Sequence, residues 1–128
     1  PPYLAFFPLA PQKAGTMKRK AGNRLHMITH LVAWKFKPES EIGAAHSAVG
    51  QIVKGKLESL PALIPEIRAI SAGTDMLHTG ASYNFALVAR FDSLADLETY
   101  RTHPDHVKIG EYITSIAAAR VAVDFESD

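Results

Sequence analysis

Ile28-Thr29-His30-Leu31-Val32-Ala33-Trp34-Lys35-Phe36-Lys37 decides the fold. His30, Val32, Trp34 and Phe36 alternate with Thr29, Leu31, Ala33 and Lys35, a period of two that predicts a strand with one strongly apolar face, ended by Pro38. The other face carries Leu31 and Ala33, so it is not polar either. A strand apolar on both sides needs a covering layer on each.

Downstream, Ile42, Ala45, Val49, Ile52, Val53, Leu57 and Leu60 trace a helical stripe, which predicts one helix opened near Ser40 and closed before Pro61. Gly43, Gly50 and Gly55 weaken that helix by roughly 1 kcal/mol each relative to alanine, so packing must hold it. His46 is expected on its surface. A second strand is predicted over 66–72 with Gly73 ending it, then a polar loop over 74–82, a third strand over 83–91 and a last over 120–125. Ser93-x-x-Asp96 has the form of a capping box and starts a helix through Leu94, Leu97 and Tyr100. Proline disfavours helical geometry in the residue before it and suits a first helical turn, so this helix stops near Thr102 and another starts at Pro104. The order is that of an α+β, ferredoxin-like βαββαβ fold: a four-stranded antiparallel sheet with helices on one face. Leu31, Ala33, Ile70, Ala72, Ala86 and Val88 are assigned to the uncovered face, which predicts a homodimer packed sheet to sheet.

Tyr100-Arg101-Thr102-His103-Pro104-Asp105-His106 places a phenol and two imidazoles across the helix joint. Tyr100 belongs to the apolar stripe of its helix, and His106 shares a stripe with Ile109, Ile113 and Ile116, so both polar groups point inward. Buried hydroxyls and imidazoles need partners. Either the two satisfy each other in a core network with His103 and Asp124, in which case Tyr100→Phe costs about 0.5–1.5 kcal/mol, or they line a polar pocket. The positive end of a helix dipole favours neutral imidazole at His106, the form a general base requires.

Composition narrows the classes. A chain of 128 residues, 47% hydrophobic, fits one domain burying about two-thirds of its unfolded surface. With no cysteine, thiol catalysis, disulfides and thiolate metal sites are excluded, and a cytoplasmic setting is the expectation. No apolar run is long enough to suggest a membrane helix. Residues 1–26 carry Lys13, Lys18, Arg19, Lys20 and Arg24 with no acid, whereas 27–128 hold nine bases and thirteen acids. The folded part is acidic, which argues against nucleic acid as a partner. Residues 1–26 also hold Pro1, Pro2, Pro8, Pro11, Gly15 and Gly22 and put their apolar part before their basic cluster, the reverse of a secretory signal. They are expected to be a disordered, dispensable or extraneous leader, with the domain over 27–128.

Five blocks, Thr29 to Lys37, Leu63-Ile64-Pro65-Glu66-Ile67 with Gly73 after it, Phe91-Asp92-Ser93-Leu94, His103-Pro104-Asp105-His106 and Val123-Asp124-Phe125, resemble the stress-responsive A/B barrel (Dabb) family in the expected order. The resemblance implies a dimeric α/β barrel. Most members are small proteins of undefined biochemistry, and a plant branch contains polyketide cyclases that close a poly-β-ketone by an aldol reaction without a cofactor. The catalytic tyrosine and histidine of that branch match Tyr100 and His106, its strand-one histidine matches His30, and the carboxylate partner of its catalytic histidine matches Asp124. Ala44, Ala45, Ala48 and Gly50, with Ala117, Ala118 and Ala119, stand where those cyclases use larger residues, so the substrate does not carry over.

The expectation is therefore a homodimeric stress-responsive barrel protein of undefined activity with a small polar-floored pocket, lined by His103, Val32, Trp34 and Leu87, for a small apolar or polyketide-like ligand. The alternative is a cofactor-independent, cyclase-like acid-base enzyme: His106, oriented by Asp124, removes a proton between two carbonyls while Tyr100 and His30 bind the developing oxyanion. A metal site at His30, His103, His106 and Asp124 is the weaker reading, because no thiolate or paired carboxylate supports it.

Overall fold

The computed structural model describes residues 26–128, so the expectation for the leader lies outside the described residues except at His26. Strand β1, Met27–Phe36, is followed by a one-turn helix α1, Glu39–Ile42, the helix α2, His46–Glu58, and a 3-10 turn, Leu60–Ala62. Then come β2, Ala69–Thr74, β3, Phe85–Phe91, α3, Leu94–Thr102, α4, Pro104–Ile116, and β4, Ala117–Ser127. The strands form one antiparallel sheet in the order β2-β3-β1-β4. This is the four-stranded ferredoxin-like arrangement that the patterning predicts.

The core lies between this sheet and the helices. Val32, Trp34, Phe36, Phe85, Leu87 and Phe91 descend from β1 and β3 to meet Val49, Val53 and Leu57 of α2, Leu97 and Tyr100 of α3, and Ile113 and Ile116 of α4. Full burial of one such side chain contributes about 1.5–3 kcal/mol, so the central strands anchor the fold. Ser93 caps α3 by accepting from the Asp96 N–H at 3.1 Å. Pro104 opens α4 after a single extended residue, His103, as the proline rule requires.

Several expectations change. The helix after Pro38 is not continuous: Gly43 takes φ +84°, a conformation that favours glycine, and its N–H bonds the Glu39 carbonyl at 2.7 Å. Ser40 lies inside α1 and caps nothing; the Glu39 carboxylate instead accepts from the His46 N–H at 2.8 Å and satisfies the start of α2. His46 is not a bare surface residue, since its Nε2 bonds the Lys37 carbonyl at 2.8 Å and its ring packs on Phe36. Ala45 and Ile52 are exposed although the stripe includes them, as is Leu94 in α3. Gly50, by contrast, is needed where it stands, because a Cβ there would overlap the Thr74 hydroxyl of β2.

The sheet also differs in detail. Strand β2 starts later and runs through Gly73, since its pairing with β3 continues to Thr74 opposite Phe85. Ile70 and Ala72 lie opposite Ala89 and Leu87, which assigns them to the helix side and not to the uncovered face. Strand β4 follows α4 without a loop and is longer than 120–125. Its register puts Val121, Val123 and Phe125 beside Ala33, Leu31 and Thr29. The uncovered face is thus built by Leu31, Ala33, Ala86 and Val88 together with Val121, Val123 and Phe125, which are 46%, 55% and 42% exposed.

Candidate functional site

Three elements bring the polar rings together. Strand β1 carries His30 on its helix-facing side, α3 buries Tyr100 completely, and α4 holds His106 in its first turn. The Tyr100 and His106 rings lie 4.2 Å apart between centroids, and His30 lies 5.8 Å from Tyr100 in an edge contact. Phe91 backs Tyr100 at 5.0 Å. His30, Tyr100 and His106 border a cleft of about 90 Å³ between sheet and helices. Val32, Trp34 and Leu87 line it, joined by Leu57, Ile109, Gly110, Ile113, Thr114 and Arg120.

Each ring has a distinct bonding state. His106 Nδ1 lies 3.2 Å from the Arg101 carbonyl, so in the neutral ring Nδ1 carries the hydrogen and donates it, leaving the Nε2 lone pair free. Burial lowers the His106 pKa below its usual 6.5; positive charge at His30, Arg101 and Arg120 acts in the same direction, against the Arg101 carbonyl bond. Burial pushes the Tyr100 phenol up to about 12, against a smaller opposite effect of Arg120. At neutral pH the site therefore holds a neutral imidazole beside an intact phenol. His30 Nδ1 is hydrogen-bonded to Asp124 Oδ1 across the β1–β4 ladder, where the two residues are direct partners.

Two sequence expectations need correction. Asp124 orients His30 and not His106, because both sit on strands in register while His106 is held by the backbone of the helix joint. His103 is not among the residues lining the cleft; its Nδ1 accepts from the Asp105 N–H at 3.1 Å and caps α4. Among the described residues, no group of three or more His, Cys, Asp or Glu could hold a metal ion, so the four-residue metal set does not assemble. Sequence reading missed Arg120, although its two-residue spacing from Ala122 and Asp124 marks the same strand face.

The Tyr100–His106 hydrogen bond of the network alternative is absent as well. Among the described residues the buried Tyr100 hydroxyl has no hydrogen-bond partner, an unusual condition for a buried polar group. Tyr100→Phe should therefore leave the melting temperature unchanged or raise it, since the change removes an unsatisfied group and not a bond. A loss of the 0.5–1.5 kcal/mol typical of one hydrogen bond, measured by thermal or urea unfolding, would restore the network reading.

Among the described residues, no helix is long and apolar enough to cross a membrane. A stress-response A/B barrel domain-containing protein of Arabidopsis thaliana is 24% identical over 124 residues, covering 94% of this chain and 44% of that protein. This chain thus spans less than half the length of that relative. Two solved structures align over most of the fold. One is a dimeric protein of unknown function with a ferredoxin-like fold from Bacteroides fragilis, at 36% identity, 79% of this chain, 96% of that chain and a TM-score of 0.69. The other is a dimeric ferredoxin-like protein of unknown function from Thermobifida fusca, at 31% identity, 78% and 90% coverage and a TM-score of 0.67. The model of the stress responsive A/B barrel domain matches residues 28–127, the whole span from the first strand to the last, and the chain belongs to that family.

Proposed function

We propose that this protein is a homodimer whose sheet–helix cleft binds a small carbonyl compound and moves one of its protons without a cofactor. The observation that carries the reading is the partnerless Tyr100 hydroxyl beside a His106 whose Nδ1 is already committed to the Arg101 carbonyl. A carbonyl oxygen bonded to that phenol would satisfy it, and His106 Nε2 would accept the proton from the adjacent carbon. The C–H electron pair moves into the carbonyl, forming an enolate that the Tyr100 O–H stabilises by donation. His30, fixed by Asp124, completes the polar floor. A cavity of about 90 Å³ is well below the ~300–1,000 Å³ of pockets for drug-sized ligands, which favours a compound of few carbons over a long polyketide chain.

The homodimer is supported by the apolar outer face and by the dimeric state of the two similar structures. Proton transfer is tested with pentane-2,4-dione in deuterated buffer, following loss of the central C–H resonance by NMR. The protein should accelerate exchange well above the same buffer with heat-denatured protein. Equal rates would overturn the catalytic reading.

A further inference from the structure

We infer that Arg120 is a carboxylate anchor, and that the compound taken by the cleft is a small keto acid. The inference rests on the proposed use of the cleft and adds the charge of its ligand. The described arginines divide cleanly. Arg68 pairs with Asp92, Arg90 donates to Ser127 and to the Asp128 carbonyl, and Arg101 pairs with Glu98. Arg120 has no ion pair or hydrogen bond from its side chain among the described residues, yet it is the arginine that lines the cleft.

Its place is set by the sheet. Arg120 lies opposite Trp34 in the β1–β4 ladder, on the face that also carries Asp124, and its side chain is exposed at the rim while Trp34 is buried beneath. Among the described residues no aspartate or glutamate lines the cleft, and of the two carboxylates that share that strand face Asp124 is bonded to His30 and Glu126 lies 3.9 Å from the His26 ring. The guanidinium is felt inside the cleft, since its charge acts on both Tyr100 and His106. A planar guanidinium presents paired N–H donors that match the two oxygens of a carboxylate. One guanidinium, with no lysine among the described residues of the lining, fits a single negative charge better than a phosphate dianion. A ligand with its carboxylate on Arg120 at the rim extends its ketone inward toward Tyr100 and His106, so charge recognition and proton transfer use opposite ends of one molecule.

Trp34 is the chain's sole tryptophan and lines the cleft, so its fluorescence reports occupancy without any turnover. Acetoacetate and methyl acetoacetate share the acetoacetyl group, and the ester replaces the negative charge with a methyl. Titrated into the wild-type protein, acetoacetate should bind about tenfold or more tightly than the ester, the usual effect of a charge-assisted hydrogen bond. Arg120→Gln should abolish that difference by weakening acetoacetate while leaving the ester's affinity within about twofold, and Arg120→Lys should keep part of it. Equal affinities in the wild type, or a preference that survives Arg120→Gln, would overturn the anchor. Failure of pentane-2,4-dione exchange alongside an Arg120-dependent acetoacetate preference would instead remove the proton-transfer reading and leave the anchor standing.

Discussion

His106→Ala should slow the exchange of pentane-2,4-dione protons by about 10²- to 10⁴-fold, the worth of one positioned acid-base group. Circular dichroism should show the fold retained, because His106 is only half-buried and its bond to Arg101 lies at the helix joint. The pH profile separates a base from a packing residue. Burial lowers the His106 pKa below 6.5, so wild-type activity should persist below that pH and fall only as the pH drops through the lowered value. Tyr100 stays protonated across this range, since burial pushes it up to about 12, and contributes no limb near neutrality. A residual rate in His106→Ala that keeps the same acid limb would assign the proton transfer elsewhere.

The same depressed pKa makes a stability statement. Below 6.5 the unfolded chain binds a proton at this residue more readily than the native one, so stability present above that pH is lost as the pH falls through the folded value. Melting temperature followed across this window should decline less in His106→Ala than in the wild type.

Val123→Glu should convert the proposed dimer to a monomer. Val123 is 55% exposed on the uncovered face, beside Leu31 in the ladder and on the edge strand β4, so a single chain tolerates a carboxylate there. In a sheet-to-sheet dimer the same carboxylate would be buried without a partner. An uncompensated buried charge costs about 3–5 kcal/mol, which weakens association more than a hundredfold. Light scattering should then report the 13.9 kDa of one chain where the wild type gives twice that mass. A variant that remains dimeric at unchanged affinity would move the interface to another face of the molecule.

What could be read in the sequence follows the range of the forces involved. The joint at Pro104 is legible because proline constrains its neighbours directly, and the inward aim of Tyr100 and His106 follows from helical periodicity. The break at Gly43 is not legible in the same way. A glycine within an apolar stripe fits a weakened helix as well as an αL stop, and the Glu39 side chain that receives the His46 N–H decides between them. His103 is harder still, since imidazole is not among the usual N-cap side chains and looks equally like a ligand.

The order of residues alone dictated the succession of the four strands and of the helix pair around Pro104, the apolar character of both faces of the first strand, and the meeting of a phenol with an imidazole at the helix joint. Alternation along β4 also fixed that Arg120, Ala122 and Asp124 share one side, but an isolated strand has no inside or outside. The antiparallel register, His30 against Asp124 and Trp34 against Arg120, was required to turn that side toward the helices. It gave Asp124 to His30, left His106 to the Arg101 carbonyl, and sent Val121, Val123 and Phe125 to the opposite face. The reason is physical: periodicity is set by bonds between neighbours, whereas register is set by the packing of segments roughly a hundred residues apart, and a slip of one residue would exchange every side chain between the two faces.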